Sequence, residues 1–159
     1  MGASYWRAGR WLLGRGAGSA VPPAMLVRMS DVERFLTSPS FAVVGASDDR
    51  AKYGNKVLRC YQQAGRDVVP VHPRLAEVEG LPAAASLSAL DEVPEAVSII
   101  TPPPVSERVL DEAVRLGVQH VWLQPGAEHE DAMERARAAG LNVIGHGPCL
   151  LVVLGFIER

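Results

Sequence analysis

The sequence predicts an α/β fold with a doubly wound, Rossmann-like parallel sheet of about five strands in a single domain. Short apolar runs alternate with amphipathic stretches from Ser30 onward, a succession typical of parallel α/β domains. Each apolar run is followed by Gly, His, Thr or Gln rather than by another apolar residue. With 159 residues, 48% of them hydrophobic and 21% charged, the chain has the size and composition of one globular domain.

Each strand is predicted where a short and mainly apolar run is bounded by residues that end it, and the run at residues 41–44 is apolar throughout. Such runs are typical of strands that are buried on both faces of a parallel sheet. They lie at residues 41–44, 68–71, 96–100, 118–123 and 141–144.

The helices are predicted from side chains at helical spacing before and between these strands. The first begins at a capping box formed by Ser30 and Glu33 and ends at Pro39. Three of the others stop at a glycine, which accommodates the left-handed conformation that commonly ends a helix. The remaining helices lie at residues 54–64, 87–90, 105–116 and 130–139.

The loop after the first strand is the main candidate for a ligand site, because ligands of open α/β sheets bind at the carboxyl ends of the strands. Its sequence, GASDDRAKYGN, spans residues 45–55. The helix that follows presents unpaired N–H groups and a positive dipole end, which suit a phosphate. Ser47 adds a hydroxyl and Lys52 a positive charge. Taken alone, the loop is equally compatible with a surface turn that Gly45 shapes.

The loop departs from the common phosphate-binding motifs. It contains neither the GxGxxG fingerprint of dinucleotide sites nor the GxxxxGK[ST] sequence of P-loops. Asp48 and Asp49 would repel a pyrophosphate placed beside them. The second strand ends in His72 and Pro73, where a classical NAD site has an acidic residue for the ribose hydroxyls. These features disfavour NAD as the ligand.

Several motifs in order along the chain resemble the CoA-binding domain family. That family comprises small stand-alone proteins and the CoA-binding domains of succinyl-CoA synthetase α subunits and ADP-forming acyl-CoA synthetases. The resemblance covers about residues 32–157. The family often has Asn where this chain has His72. The motifs are Gly45-Ala46-Ser47, Lys52-Tyr53-Gly54-Asn55, His72-Pro73, Thr101-Pro102-Pro103 and Gln124-Pro125-Gly126.

The resemblance implies a site for coenzyme A or an acyl-CoA. It implies that one group of residues cradles the phosphates and shapes their loop: Gly45, Ala46, Ser47, Lys52, Tyr53 and Asn55. It implies that a second group flanks the adenine or ribose and forms the opposite wall: His72, Pro73, Thr101, Pro102, Pro103 and Val105. Gln124 and Gly126 complete the set. For the prolines, a rigid helix start is an equally weighted interpretation.

The cysteines and histidines do not predict a metal site. The two cysteines, Cys60 and Cys149, are too few and too isolated for a disulfide framework or a zinc site. The four histidines show no HxxxH or HxH spacing. Cys149 is expected at the same sheet edge as the ligand site, and one interpretation is that its thiol meets the CoA sulfhydryl or serves as a redox-sensitive group. Packing as a small apolar residue is the favoured interpretation of Cys149.

The sequence indicates binding rather than catalysis. A synthetase of the succinyl-CoA type needs a second domain with a phosphorylated histidine and an ATP-grasp partner, and neither is expected here. The chain has no GxSxG nucleophile elbow and no obvious acid/base carboxylate pair. We therefore expect a non-catalytic, regulatory CoA-binding protein. The alternatives are an NAD(P)-binding oxidoreductase or redox sensor, and a fragment of an acyl-CoA ligase.

Residues 1–29 differ in composition from the rest of the chain. They contain four of the 16 basic residues and none of the 18 acidic ones. We expect a disordered extension or a start assigned too early, with the CoA-binding domain at residues 30–159. An Arg-rich, acid-poor beginning is also typical of a mitochondrial transit peptide.

The charge and the apolar runs set expectations for partners and location. Because the remainder of the chain is net acidic, it is a poor candidate for nucleic-acid binding. No apolar run approaches the roughly 18 residues that a transmembrane helix needs. We expect a cytoplasmic protein, or a mitochondrial one if the beginning is a transit peptide. A homo-oligomer and a larger CoA-using assembly both stay open.

Overall fold

Five parallel strands form the centre of the fold in a computed structural model that describes residues 29–159. Their spatial order is β2-β1-β5-β6-β7. The chain therefore adds β2 on one side of β1 and then β5, β6 and β7 on the other side, as in other doubly wound sheets. A small antiparallel hairpin, β3–β4, lies outside this sheet. The strands are β1 (Phe41–Val44), β2 (Val68–Val71), β3 (Glu77–Val78), β4 (Leu81–Pro82), β5 (Ala96–Ile99), β6 (His120–Leu123) and β7 (Asn142–Ile144). The predicted fold class is confirmed.

Helices cover both faces of the sheet. One face packs against α1, α2 and α5, and the other packs against α3, α4 and a 3₁₀ turn, Leu87–Ala89. The helices are α1 (Asp31–Leu36), α2 (Tyr53–Gln63), α3 (Pro103–Leu116), α4 (Glu130–Ala138) and α5 (Leu150–Val153). The predicted helices are present. The hairpin and α5 were not predicted.

The core is divided by the sheet into two clusters, because successive strand residues point to opposite faces. Ala42 and Val44 of β1 face α3 and α4, whereas Phe41 and Val43 face α2. Trp122 of β6 is fully buried in the second cluster, and its ring meets the ring of Phe35 edge-on at a centroid distance of 5.3 Å. The burial of both faces explains why β1 is apolar at every position.

The capping box predicted at the first helix is present. The Ser30 hydroxyl accepts from the N–H of Glu33 at 3.2 Å, and Oε2 of Glu33 accepts from the N–H of Ser30 at 2.7 Å. The two bonds satisfy donors that the first turn of a helix leaves free.

Two features that bear on partners are absent from residues 29–159. None of the helices there is both long and apolar enough to cross a membrane. No cluster of three or more His, Cys, Asp or Glu side chains suited to a metal ion occurs in that range. The predicted extension at residues 1–29 lies almost wholly outside the described residues, so it stays a prediction.

Candidate ligand-binding site

Two glycines bring the amino end of α2 against the carboxyl end of β1. Gly45 has φ of 94°, a conformation that glycine adopts without strain. A Cβ on Gly45 would overlap the carbonyl oxygen of Ile100, and a Cβ on Gly54 would overlap the carbonyl oxygen of Gly45. Only glycine therefore permits this close approach of helix and strand at both positions.

The turn between β1 and α2 leaves a group of backbone donors without acceptors. The N–H groups of Ala46 and Ser47, and those of Tyr53 to Asn55 in the first turn of α2, donate to no group within residues 29–159. Free N–H groups beside a helix N-terminus form a binding place for an anion. The predicted phosphate cradle thus has suitable donors.

The side chains of the loop support this arrangement. The Ser47 hydroxyl accepts from the N–H of Asp49 at 3.1 Å, so its own hydrogen is available to a ligand. Oδ1 of Asp49 accepts from the N–H of Ala51 at 3.0 Å, which ties this acidic side chain to the loop backbone. Lys52 is exposed and has no ion-pair partner in the described chain.

Asn55 holds the loop from the buried side. It is fully buried, and its Nδ2 donates to the carbonyl of Ser47 at 2.8 Å and to Oε1 of Glu79 at 2.9 Å. Its Oδ1 accepts from Nε of Arg59 at 2.7 Å. Asn55 therefore shapes the loop, the role that the family resemblance implies, and does so from beneath the turn.

A cavity of about 260 Å³ opens at the carboxyl edge beside this loop. It brings together four of the predicted residues, Gly45, Pro73, Thr101 and Val105. Most of the rest of its wall is apolar, as is usual for pockets that hold a ring system. The lining residues not predicted from the sequence are Val44, Val71, Ala85, Ser86, Leu87, Arg108, Val109 and Glu112.

His72 does not line the cavity. Its Nδ1 accepts from the N–H groups of Arg74 at 3.0 Å and Leu75 at 3.1 Å, so the ring carries its proton on Nε2 when neutral. The ring closes the turn after β2 in the way that an Asn side chain closes such turns. His72 therefore positions Pro73, and its contact with a ligand stays a prediction.

The prolines after β5 begin a helix. Pro102 is the N-cap of α3 and Pro103 its first residue, so the helix-start interpretation is confirmed. The preceding Thr101 hydroxyl lies 2.8 Å from the hydroxyl of Ser106, which fixes Thr101 at the cavity wall. Neither proline lines the cavity, and their contact with a ligand stays a prediction.

A second polar group lies at the end of β6, where Gln124 is fully buried. Its Oε1 accepts from the N–H of Leu150 at 2.9 Å and from the Tyr53 hydroxyl at 3.3 Å. The Tyr53 hydroxyl also contacts Sγ of Cys149. Burial, and then the hydrogen bond with Cys149, raise the pKa of Tyr53. Nε2 of Gln124 is buried without a partner among the described residues.

Gly126 lies apart from both groups. It has φ of 93° in the exposed turn before α4, and its N–H donates to Oε2 of Glu128 at 2.8 Å. The structure thus gathers the predicted residues into a donor-rich loop, an adjoining cavity and the Gln124 group. Gly126, His72 and the two prolines shape turns around them.

The two cysteines are expected to differ in reactivity. Cys60 is 1% exposed, and burial raises the pKa of its thiol to about 11, whereas Cys149 is half-buried at the sheet edge. At pH 8 only about one Cys60 thiol in a thousand would be ionised. A chromogenic disulfide reagent should therefore detect one fast thiol in the native protein and two after denaturation. Cys149→Ser should remove the fast thiol, and two fast native thiols would contradict this assignment.

The fold defines a Rossmann-like α/β domain, with free backbone N–H groups at the first turn and a cavity beside them. The chain belongs to the CoA binding domain family, whose sequence profile matches residues 39–155.

Three similar proteins accompany this match. Uncharacterized protein YneT of Bacillus subtilis strain 168 is 29% identical over 107 residues, which cover 67% of this chain and 79% of that protein. A conserved hypothetical protein from Pyrococcus furiosus has a solved structure with a TM-score of 0.67 and 37% identity, covering 72% of this chain and 97% of that one. The dinucleotide forming acetyl-coenzyme A synthetase 1 of Ca. Korarchaeum cryptofilum gives a TM-score of 0.60 at 28% identity, with 67% of this chain and 26% of the synthetase covered.

Proposed function

We propose that this protein binds coenzyme A or an acyl-CoA at the carboxyl edge of its sheet, and that it does so as a non-catalytic, regulatory protein. The observation that carries the proposal is the adjacency of unpaired backbone donors and an apolar cavity: Gly45 lines the cavity, and the free N–H groups of Ala46 and Ser47 follow it directly. A nucleotide has the complementary parts, since its phosphates need donors and its base needs an apolar slot. Because the chain belongs to the CoA binding domain family, we propose coenzyme A as the nucleotide.

The residues present fit this ligand. The N–H groups of Ala46 and Ser47 would hold the phosphates with Lys52 nearby, and the adenine would enter the cavity between Pro73 and Val105. Nε2 of Gln124 offers a donor to the remainder of the ligand. When bound, coenzyme A supplies a thiol that carries acyl groups as thioesters.

The alternative of an NAD(P)-dependent protein has less support. A classical NAD site uses an acidic side chain after the second strand to bind the ribose hydroxyls. Nδ1 of His72 at that position already accepts two backbone N–H groups. The nearby Glu79 has Oε1 bound to Asn55 and Oε2 bound to Arg50. The groups at this position that could accept hydrogen bonds from the ribose hydroxyls of NAD therefore already accept hydrogen bonds within the protein.

The remaining parts of the proposal concern the whole chain. We propose that residues 30–159 form the binding domain and that residues 1–29 are an extension to it. A cytoplasmic location and a partner enzyme that uses CoA fit this proposal.

Titration of the full chain with CoA, acetyl-CoA, NAD and NADH tests the assignment. We expect CoA or acetyl-CoA to bind at least about tenfold more tightly than either nicotinamide nucleotide, a difference of about 1.4 kcal/mol. Calorimetry measures the affinities, and a rise in the unfolding temperature with ligand concentration provides a second readout. Preferential stabilisation by NAD or NADH would overturn the CoA assignment. Steady turnover of acetyl-CoA would overturn the non-catalytic part.

A further inference from the structure

The part of the cavity wall that α3 forms includes a positively charged side chain, Arg108. The proposed binding of adenine does not involve this charge. Val105, Arg108, Val109 and Glu112 all line the cavity, and their spacing places them on one face of the helix. The helix starts at the carboxyl edge of the sheet, and helical side chains lean toward the N-terminus of their own helix. Arg108 is exposed, and it lines the same cavity as Gly45, the first residue of the phosphate loop.

Arg108 is the cation of this wall, and it is not neutralised. No carboxylate lies within ion-pair distance of its guanidinium in residues 29–159. Glu112, one turn further along, uses Oε1 to accept from the N–H and the hydroxyl of Ser88, both at 2.7 Å. The acidic side chains beside Arg108 in sequence, Glu107 and Asp111, pair with Arg135 of α4.

The position of this charge relative to the loop indicates what it binds. A nucleotide with its base in the cavity and its 5′-phosphates at Ala46 and Ser47 has its ribose at the cavity mouth. A guanidinium at the mouth would meet a substituent of the ribose rather than the 5′-phosphates. Arginine binds phosphate oxygens through paired, charge-assisted hydrogen bonds.

We propose that Arg108 binds a phosphate carried on the ribose of the bound adenosine nucleotide, and that it thereby selects such nucleotides over those with a free ribose. This inference rests on the proposed function. Coenzyme A carries a ribose phosphate at the 3′ position and NADP carries one at the 2′ position, whereas dephospho-CoA, AMP and NAD carry none.

The test measures the affinities of the full chain and its variants for CoA and 3′-dephospho-CoA. The wild type is expected to bind CoA at least about tenfold more tightly, because a charge-assisted contact is lost with the phosphate. Arg108→Gln should lower the affinity for CoA to that for dephospho-CoA and leave the latter unchanged. Arg115→Gln removes an equal charge two turns along the same helix, without a described ion-pair partner, and should keep the wild-type preference.

The outcomes separate this inference from the proposed function. Equal wild-type affinity for the two ligands, or an equal loss of both in Arg108→Gln, would overturn the role of Arg108 while leaving CoA binding intact. Failure of both ligands to bind would overturn the proposed function itself. The affinities for adenosine 3′,5′-bisphosphate and adenosine 2′,5′-bisphosphate show whether the site prefers a 3′-phosphate, as in CoA, or a 2′-phosphate, as in NADP. A preference for the 2′ isomer that Arg108→Gln removes would support ribose-phosphate selection but overturn the CoA assignment.

Discussion

Replacement of Ser47 by glutamate is expected to abolish coenzyme A binding. The Ser47 side chain lies in the turn whose backbone N–H groups are free to hold phosphate. A carboxylate there would stand about 4 Å from the ligand's phosphates, where two like charges near a protein surface repel by about 4 kcal/mol. We expect the affinity to fall by at least about a hundredfold, because the donors of the turn cannot compensate for that repulsion.

The controls for this substitution separate a local charge effect from a change in net charge or in folding. Gln119→Glu adds the same charge on an exposed residue at the opposite edge of the sheet, and should bind CoA like the wild type. Ser47→Ala removes only the hydroxyl that accepts from Asp49, and should weaken binding less than tenfold, about 1 kcal/mol. Calorimetry measures all three, with thermal unfolding as the check on folding. Wild-type affinity in Ser47→Glu would show that the phosphates lie elsewhere.

The sequence was sufficient to predict the sheet and most of the helices, because these depend on local patterns. Residues 41–44 are apolar at every position since both faces of β1 are covered. The capping box at Ser30 is likewise a local signal. The hairpin β3–β4 has only two residues per strand, too few for an alternating pattern to be visible.

The part of the site that escaped prediction depends on contacts between distant segments. Gln124 and Tyr53 are 71 residues apart in sequence and meet only because α2 begins, and β6 ends, at the same sheet edge. Arg108 lines the cavity because its face of α3 lies over the ends of β1 and β2. The apolar neighbours at Val105 and Val109 mark that face in the sequence, but the periodicity of α3 does not reveal which face borders a cavity.

His72 illustrates a second limit of prediction from the sequence, which concerns the role of a single side chain. Its position after the second strand is identified from the sequence as a departure from a classical NAD site. The sequence did not indicate whether its ring would face the ligand or the backbone. Two backbone N–H groups donate to Nδ1, and this use of the ring depends on the geometry of a single turn.

Alanine in place of the two site glycines is expected to destabilise the fold and abolish binding, to different extents at the two positions. Gly54→Ala would push α2 away from β1, because the added Cβ overlaps the Gly45 carbonyl. Overpacking of this kind typically costs about 1–3 kcal/mol. Gly45→Ala would meet the Ile100 carbonyl and also strain a backbone with φ of 94°, which adds about 1–2 kcal/mol.

Gly117 provides the matched control for backbone strain alone. Its φ is 80°, and a Cβ there would meet nothing within 4 Å. Gly117→Ala should therefore lower the free energy of unfolding by about 1 kcal/mol and leave CoA affinity unchanged. Urea unfolding and calorimetric titration of the three variants give the order of destabilisation, with Gly45→Ala the largest. If all three lost the same stability and kept the same affinity, the close approach of α2 to β1 would have no part in forming the phosphate site. The predicted order would instead show that the absence of a Cβ at Gly45 and Gly54 holds the N–H groups of the turn together as one anion site.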